Sequence, residues 1–113
     1  MHELAVTDSI VKIVQEKGAE VGALRVTSIN LVVGDWSGLV DDCIQFYFDI
    51  LSEGTLARGA TLCFQRIPAC FHCRSCGAEF TPREYNWTCP RCGSLGGELV
   101  AGREFYVESI EVE

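Results

Sequence analysis

The sequence predicts an α+β fold, in which a small three-stranded sheet with two helices carries an inserted four-cysteine module. Three observations lead to this prediction. Two segments repeat apolar residues at helical spacing, three others have the character of strands, and two Cys-x2-Cys-Gly sequences lie between the last two of these strands. The predicted order along the chain is helix, strand, helix, strand, four-cysteine module, strand. The last strand would return to the sheet, so that both ends of the module are anchored in it.

The first helix is predicted over residues 4–17, and Gly18 is expected to end it. Residues 23–33 are rich in β-branched side chains and predict the first strand, which should stop at Gly34. The apolar residues expected to share one side of the first helix are Val6, Ile10, Ile13 and Val14.

The second helix is predicted to follow Ser37-Gly38 and to run to about Ser52. Asp41 and Asp42 lie in its first turn, where acidic side chains suit the helix dipole. The ring cluster Phe46-Tyr47-Phe48 is expected to pack in the core. The residues expected together on one side of this helix are Val40, Cys43, Ile44, Tyr47, Ile50 and Leu51.

Two later strands, over residues 60–67 and 103–112, complete the predicted sheet. Cys63 in the earlier of these strands and Cys43 in the second helix are both expected to be small core residues rather than reactive groups.

The two Cys-x2-Cys-Gly sequences place four thiolates in the spacing that closes a tetrahedral zinc site. The glycine after each pair allows the backbone to turn tightly with positive φ, which aims amide N–H groups at the sulfurs. Two disulfides or four unrelated core cysteines are the alternatives. A closed four-cysteine site has a structural role, because it keeps no coordination position open for chemistry. The expected zinc ligands are Cys73, Cys76, Cys89 and Cys92.

Two further donors precede the first of these pairs. Cys70 creates a second spacing, Cys70-x2-Cys73, so a shifted ligand set is conceivable, with Cys70 otherwise a spare thiol. His72 could bind a second metal or exchange into the zinc site, although a polar linker residue is the simpler interpretation. With the module defined in this way, the sequence predicts one α/β domain formed by residues 1–68 and 103–113 and a zinc-binding domain formed by residues 69–102.

Composition limits the classes of function. The chain has a formal net charge of −7 and seven cysteines in 113 residues. A zinc ribbon that binds nucleic acid needs a basic face, so nucleic acid is not an expected partner. The sequence shows neither a secretory signal pattern nor an apolar run of membrane-spanning length, so we expect a cytoplasmic protein with no membrane partner. In that reducing compartment a zinc–thiolate site survives and structural disulfides are rare.

The amino end offers a second, different metal site. The amine of Met1, the amide nitrogen of His2 and its imidazole can wrap one cation in two fused rings, and Glu3 could complete the coordination. Deprotonating a backbone amide requires a metal with a strong preference for in-plane nitrogen donors, which indicates Ni(II) or Cu(II). A frayed, solvated chain end is the alternative.

No arrangement typical of catalysis stands out in the sequence. It shows no Ser-His-Asp, Cys-His or paired-carboxylate pattern and no glycine loop of the kind that cradles phosphate. We therefore expect a protein that is not an enzyme. The rival functions are a zinc-ribbon nucleic-acid binder and a metalloenzyme that uses the N-terminal metal.

In combination, the motifs resemble those of the HypA/HybF family of hydrogenase nickel-incorporation proteins, over essentially the whole chain. The matching segments are Met1-His2-Glu3, Gly34 to Gly38 (Gly-Asp-Trp-Ser-Gly), Cys73-x2-Cys76-Gly-Ala-Glu-Phe, Cys89-Pro-x-Cys92-Gly, Gly102-Arg103-Glu104 and Ser109 to Val112.

This resemblance implies a metallochaperone that supplies Ni(II) during maturation of [NiFe]-hydrogenases and, in some organisms, of urease. The family's nickel site maps onto the Met1 amine, His2 and the neighbourhood of Glu3, and its structural zinc onto the four cysteines. The implied partners are a nickel-binding GTPase accessory protein and the precursor of the hydrogenase large subunit. Cys70 and His72 depart from the family pattern, and no ligand role carries over to Asp41 or Asp42.

Overall fold

The computed structural model describes residues 3–84 and 86–113 and contains two three-stranded sheets. The order of helices and strands along the chain agrees with the predicted helix–strand–helix–strand–module–strand arrangement. The elements are α1 (Glu3–Glu20), β1 (Val26–Gly34), a 3₁₀ turn (Asp35–Ser37), α2 (Asp41–Leu51), β2 (Thr61–Ile67), β3 (Cys70–His72), β4 (Glu79–Phe80), β5 (Glu98–Ala101) and β6 (Phe105–Val112).

The first sheet has the strand order β2-β1-β6, with β1 in the centre. β1 runs parallel to β2, which is possible because α2 forms the crossover connection between them. β6 is antiparallel to β1, with Leu31 opposite Val107 on that side and opposite Phe64 on the β2 side. The last strand thus returns to the first sheet, and the predicted α+β fold is confirmed.

The main core lies between this sheet and the two helices. Alternate residues of β1, among them Ile29, Leu31 and Val33, are buried on one face, as expected where one side of a strand contacts a helix layer. Ile44 and Phe48 contribute from α2. The buried residues of this cluster are Val6, Ile10, Val11, Val14, Val26, Ile29, Leu31, Val33, Leu39, Ile44, Phe48, Ala57, Ala60 and Leu62.

The predicted end of the first helix at Gly18 is wrong. α1 continues to Glu20, and the chain turns at Gly22, where φ is +68°. Gly18 is buried inside the helix, and a Cβ there would lie 3.2 Å from Leu56 Cδ1. This glycine therefore permits close packing and does not stop the helix. Ile13, predicted to share the inward stripe, is 47% exposed.

The predicted inward side of the second helix is also wrong in part. Ile44 and Phe48 are buried, but Cys43 and Ile50 are exposed, and so is Phe46 from the ring cluster. α2 is apolar on more than one side, so spacing alone cannot show which side contacts the sheet. Cys63 is likewise exposed, because it lies on the face of β2 away from the helices.

The second sheet has the order β4-β3-β5, and both outer strands are antiparallel to β3. Its three strands come from residues 70–101, whereas the first sheet uses strands before and after that segment. The division into domains of residues 1–68 with 103–113 and of residues 69–102 agrees with this but stays a prediction.

The connection between the two sheets is tight. Gly34 at the end of β1 lies so close to Gly102 that a Cβ at Gly34 would be 2.0 Å from the Gly102 carbonyl oxygen. Trp36 contacts Phe71 and Trp87 edge to face, with ring centroids 5.4 Å and 5.2 Å apart. Side chains from both sides of the junction are thus packed together. Within the described residues, α1 and α2 are both too short or too polar to span a bilayer.

Candidate metal centre

The two Cys-x2-Cys-Gly segments, residues 73–77 and 89–93, are called the first and second knuckle. The first knuckle is a tight turn that its own backbone hydrogen bonds hold together. The N–H of Cys73 donates to the Ala78 carbonyl at 2.8 Å, and the N–H of Gly77 donates back to the Cys73 carbonyl at 2.9 Å. Gly77 has φ of +77°, a conformation that residues with a Cβ rarely adopt. The predicted role of this glycine is therefore confirmed.

The second knuckle repeats the same geometry. The N–H of Cys89 donates to the Ser94 carbonyl at 2.8 Å, and the N–H of Gly93 donates to the Cys89 carbonyl at 2.9 Å. Gly93 has φ of +78°. Two copies of one local structure therefore face each other, each presenting two sulfurs to the space between them.

The four sulfur atoms of Cys73, Cys76, Cys89 and Cys92 lie within 4.8 Å of one another. Across the two knuckles, Cys73 Sγ is 3.5 Å from Cys92 Sγ, and Cys76 Sγ is 3.7 Å from Cys89 Sγ. A tetrahedral zinc ion with Zn–S bonds of about 2.3 Å requires S···S separations of roughly 3.8 Å. The donor set therefore fits zinc. Disulfides require about 2.05 Å between sulfurs, so this alternative does not match the geometry.

The local hydrogen bonds shift the pKa values of Cys76, Cys89 and Cys92 in different directions. The hydroxyl of Ser94 donates to the Cys92 sulfur and has the largest effect on the pKa of Cys92, and the backbone N–H of Ser94 has the second largest. With hydrogen bonds from neighbouring sulfurs, they lower this pKa to about 6. The backbone N–H of Cys92 is the largest of the influences that lower the pKa of Cys89. These two cysteines therefore ionise readily.

Cys76 has the opposite tendency. The backbone N–H of Ala78 lowers its pKa, but desolvation and hydrogen bonds with the other three sulfurs outweigh this and raise the pKa to about 11. Once a neighbouring sulfur is a thiolate, a further negative charge beside it is unfavourable unless a cation compensates. A divalent cation between the sulfurs supplies this compensation, and its binding must release the Cys76 proton.

The burial of the four cysteines is uneven. Cys73 and Cys89 are buried together with Phe80, whereas Cys76 is half-buried and Cys92 is exposed. With four protein sulfurs around one ion, no coordination position remains for water or substrate. Such a centre can stabilise the module but does not provide a hydrolytic metal site.

Cys70 and His72 lie on β3 beside the cluster but are not part of the four-residue group that the structure brings together. Cys70 Sγ donates to the Glu79 carboxylate at 3.7 Å, and its pKa is raised by desolvation first and then by the Glu79 charge. His72 lies opposite Glu79 on one neighbouring strand and Glu98 on the other.

The predicted nickel ligands are only partly described. Met1 and His2 lie outside the described residues. Glu3 is the first residue of α1, and its carboxylate accepts a hydrogen bond from the Val40 N–H at 3.4 Å. This contact holds the start of α1 against the start of α2.

The sequence analysis identified neither Arg66, which binds the acidic residue at the start of α2, nor Ser94, which follows the second Cys-x2-Cys-Gly turn. The Arg66 guanidinium donates to Asp35 and to Asp41, each at 2.9 Å, and therefore fixes the acidic residue that begins α2 near Glu3. The equivalent position to Ser94 in the first knuckle is Ala78, so comparison of the two repeats is the signal that could have identified this serine.

The fold and the cysteine cluster define a small α+β protein with a four-sulfur metal centre set beside a helix-covered sheet. The family model for hydrogenase/urease nickel incorporation, metallochaperone, HypA, matches residues 1–112. The chain belongs to this family of nickel-incorporation metallochaperones, which act in hydrogenase maturation.

Relatives of known role agree with this assignment. The hydrogenase maturation factor HypA of Dehalococcoides mccartyi is 45% identical over 113 residues, which cover all of this chain and 95% of that protein. The factor of the same name from Geobacter metallireducens is 44% identical over the full length of both chains.

Two solved structures share the fold. The solution structure of the Ni metallochaperone HypA from Helicobacter pylori matches 99% of this chain and 97% of that chain with a TM-score of 0.66 and 21% identity. A second solution structure, of HypA protein, matches 100% and 97% with a TM-score of 0.72 and 22% identity.

Proposed function

We propose that this chain carries Ni(II) at its amino end and delivers it for the maturation of a [NiFe]-hydrogenase, and that urease is a second destination. The donors would be the Met1 amine, the His2 amide and imidazole, and a group from Glu3. The match of the nickel-incorporation family to residues 1–112, a range that includes these donors, is the observation that supports this most strongly.

The position of Glu3 suits such a site. Its carboxylate accepts the Val40 N–H, so the residue after His2 is held against the start of α2. Asp41, which follows Val40, already accepts a hydrogen bond from Arg66. The residue that follows the proposed ligands Met1 and His2 is therefore held in place by α2.

Binding at this site requires loss of protons. An α-amine titrates near ~8 and an imidazole near ~6.5, so protons compete with Ni(II) for both nitrogens. Nickel affinity should therefore fall steeply as the pH drops below neutral. A carrier benefits from this, since protonation or displacement of the chain end releases the ion to an acceptor.

We propose that the four cysteines hold Zn(II) in a structural role, separate from the transported nickel. The sulfur separations fit zinc, and the centre has no open position. The chain would act in the cytoplasm as a carrier and not as an enzyme. Its partners would be a nickel-binding GTPase accessory protein, which cooperates in delivery, and the hydrogenase large-subunit precursor, which receives the ion.

The two histidines of the chain provide a matched test. In the zinc-loaded protein, isothermal titration with Ni(II) should give one strong site. His2→Ala should lower the nickel affinity by at least about a hundredfold, because the imidazole and the chelate ring that it closes are lost. Bound zinc and the circular dichroism spectrum should not change.

His72→Ala is the control, because it removes the other histidine and leaves the amino end intact. Its nickel affinity should equal that of the unmodified protein. If nickel binding survives His2→Ala and is lost in His72→Ala, the nickel site lies beside the cysteine cluster and the proposal is wrong.

A further inference from the structure

The outward side of α2 carries an apolar stripe that nothing in the described fold covers. Val40, Phe46 and Ile50 are 51%, 61% and 56% exposed. Cys43 is exposed between them, and Tyr47 is half-buried with its ring against that of Phe46, centroids 5.4 Å apart. We call Val40, Cys43, Phe46, Tyr47 and Ile50 the α2 stripe.

These residues form one continuous surface because residues three and four apart are neighbours on a helix. The core does not need them, since Ile44 and Phe48 are the residues of α2 that are buried against the rest of the fold. Contiguous exposed apolar side chains of this kind are typical of an interaction site.

The charges beside the stripe indicate what it binds. Asp42 and Asp49 are exposed along one border, at the same angular position on the helix, and α2 contains neither lysine nor arginine. A helix that lies on an anionic membrane needs basic residues, so lipid is a poor match. Antiparallel pairing of two α2 helices would bring Asp42 of one copy towards Asp49 of the other, which disfavours a second copy.

The stripe begins at the proposed nickel site. Val40, its first residue, donates its N–H to Glu3, which follows the proposed ligands Met1 and His2. A protein bound along α2 would therefore have its contact surface next to the chain end. This link to nickel transfer depends on the proposed function, whereas the docking surface itself does not.

We infer that the α2 stripe is a docking surface for an amphipathic helix of a partner protein, with an apolar side bordered by lysine or arginine. The apolar side would cover Phe46 and Ile50, and the basic border would pair with Asp42 and Asp49. Such a helix-in-groove contact would hold the partner beside the proposed nickel site and leave the metal ligands free.

Two exposed cysteines allow a direct test. Cys43 lies in the stripe, whereas Cys63 lies on the far face of the first sheet. The probe is a synthetic helical peptide of the length of α2, with leucine on one side and lysine along its borders. It is added to the zinc-loaded, nickel-free protein, and the rate of alkylation of each cysteine by iodoacetamide is measured by peptide mass mapping.

The expected result is that the lysine-bordered peptide slows alkylation of Cys43 several-fold and leaves the rate at Cys63 unchanged. Phe46→Ser and Ile50→Ser should each weaken the peptide affinity about tenfold, as the loss of a central apolar contact does. Leu24→Ser is the matched control, because Leu24 is apolar and 84% exposed but lies outside the stripe. It should leave the affinity unchanged.

Four results would overturn the inference. The first is that the lysine-bordered peptide does not slow alkylation of Cys43. The second is that a peptide with glutamate in place of lysine slows it equally. Protection that appears when the protein alone is concentrated would identify a second copy as the occupant. Protection by vesicles of phosphatidylglycerol would identify a membrane. Because nickel is absent throughout, a failure of nickel binding in the His2 experiment leaves this result unaffected.

Discussion

The helix-covered sheet and the four-cysteine module are stabilised in different ways. Among the described residues, the core of the first contains fourteen buried side chains, whereas the buried cluster of the second contains Cys73, Phe80 and Cys89. Two of those three residues belong to the sulfur cluster. A core of fourteen buried side chains is sufficient for a small domain. One phenylalanine, the only large side chain buried among the described residues of the module, is not sufficient. The first region should therefore fold by its own core and the second by its metal.

The largest expected effect is the loss of the metal from the module. Cys89→Ser in the zinc-loaded protein should unfold the segment from β3 to β5, because structural zinc supplies an apparent ~10–16 kcal/mol in small modules of this kind. Residues of β1 and α2 should keep their dispersed NMR signals. Cys63→Ser, which changes an exposed cysteine outside the cluster, should leave both regions folded.

An unaltered module in Cys89→Ser would show that the sulfur cluster is not its main source of stability. Cooperative unfolding of the entire chain would show that the first region also depends on the metal, so that the two regions are not separately stabilised.

The second effect concerns the apolar core. Phe48 is 1% exposed, and Phe48→Ala should lower the free energy of unfolding of the first region by about 3–5 kcal/mol. Phe46→Ala, two residues earlier on the exposed side of α2, should cost less than about 1 kcal/mol. Urea unfolding followed by circular dichroism measures both values. Equal costs would mean that the assignment of the two sides of α2 is wrong.

The junction of the two regions should be sensitive to one methyl group. Gly34→Ala would place a Cβ 2.0 Å from the Gly102 carbonyl oxygen, so the strands must separate, at a cost of about 1–3 kcal/mol. The fluorescence of Trp36 and Trp87, whose rings touch across the junction, should change as well.

Gly54→Ala separates crowding from backbone strain in that experiment. Gly54 has φ of +75° and open space around the Cβ position, so its substitution costs roughly 1–2 kcal/mol of strain without disturbing any neighbour. If Gly34→Ala leaves the tryptophan fluorescence as unaffected as Gly54→Ala does, the junction is looser than the structure shows.

The smallest effect is a change in the pH dependence of zinc binding. Several hydrogen bonds, of which that from the Ser94 hydroxyl contributes most, lower the pKa of Cys92 to about 6, so Cys92 stays a thiolate until the pH falls to that value. Ser94→Ala should raise this pKa towards its ordinary value. Between pH 6 and 8 a proton would then compete with zinc, and the affinity should fall several-fold, whereas above ~9 the two proteins should converge.

Competition with a chelator across this pH range measures the effect, and Ser75→Ala, in the first knuckle, is the control. Identical curves for Ser94→Ala and Ser75→Ala would mean that the Ser94 hydroxyl does not control the ionisation of Cys92.

The cysteine module was the part most predictable from sequence. Its Cys-x2-Cys-Gly repeats specify a local turn, in which Gly77 and Gly93 adopt positive φ, and the structure confirms that turn. The return of the last strand to the first sheet was also predictable, because residues 103–112 have strand character and directly follow the module.

Tertiary packing explains what the sequence could not show. Gly18 has the local character of a helix stop, but its closeness to Leu56 depends on a loop far away in the chain. The orientation of α2 was ambiguous because Ile44 and Phe48 on one side and Phe46 and Ile50 on the other are equally apolar. Only contact with the sheet determines which pair is buried.

Native mass spectrometry of two variants would show whether the amino end carries nickel while the sulfur cluster carries zinc. One has a flexible segment of five glycine and serine residues added before Met1, which converts the Met1 amine to an amide and moves the free amine away from His2, and the other has the same segment added after Glu113. We expect the first variant to retain one zinc and take up no nickel, and the second to take up one of each. If the variant extended before Met1 binds nickel with the same affinity as the variant extended after Glu113, the amino end is not the nickel site.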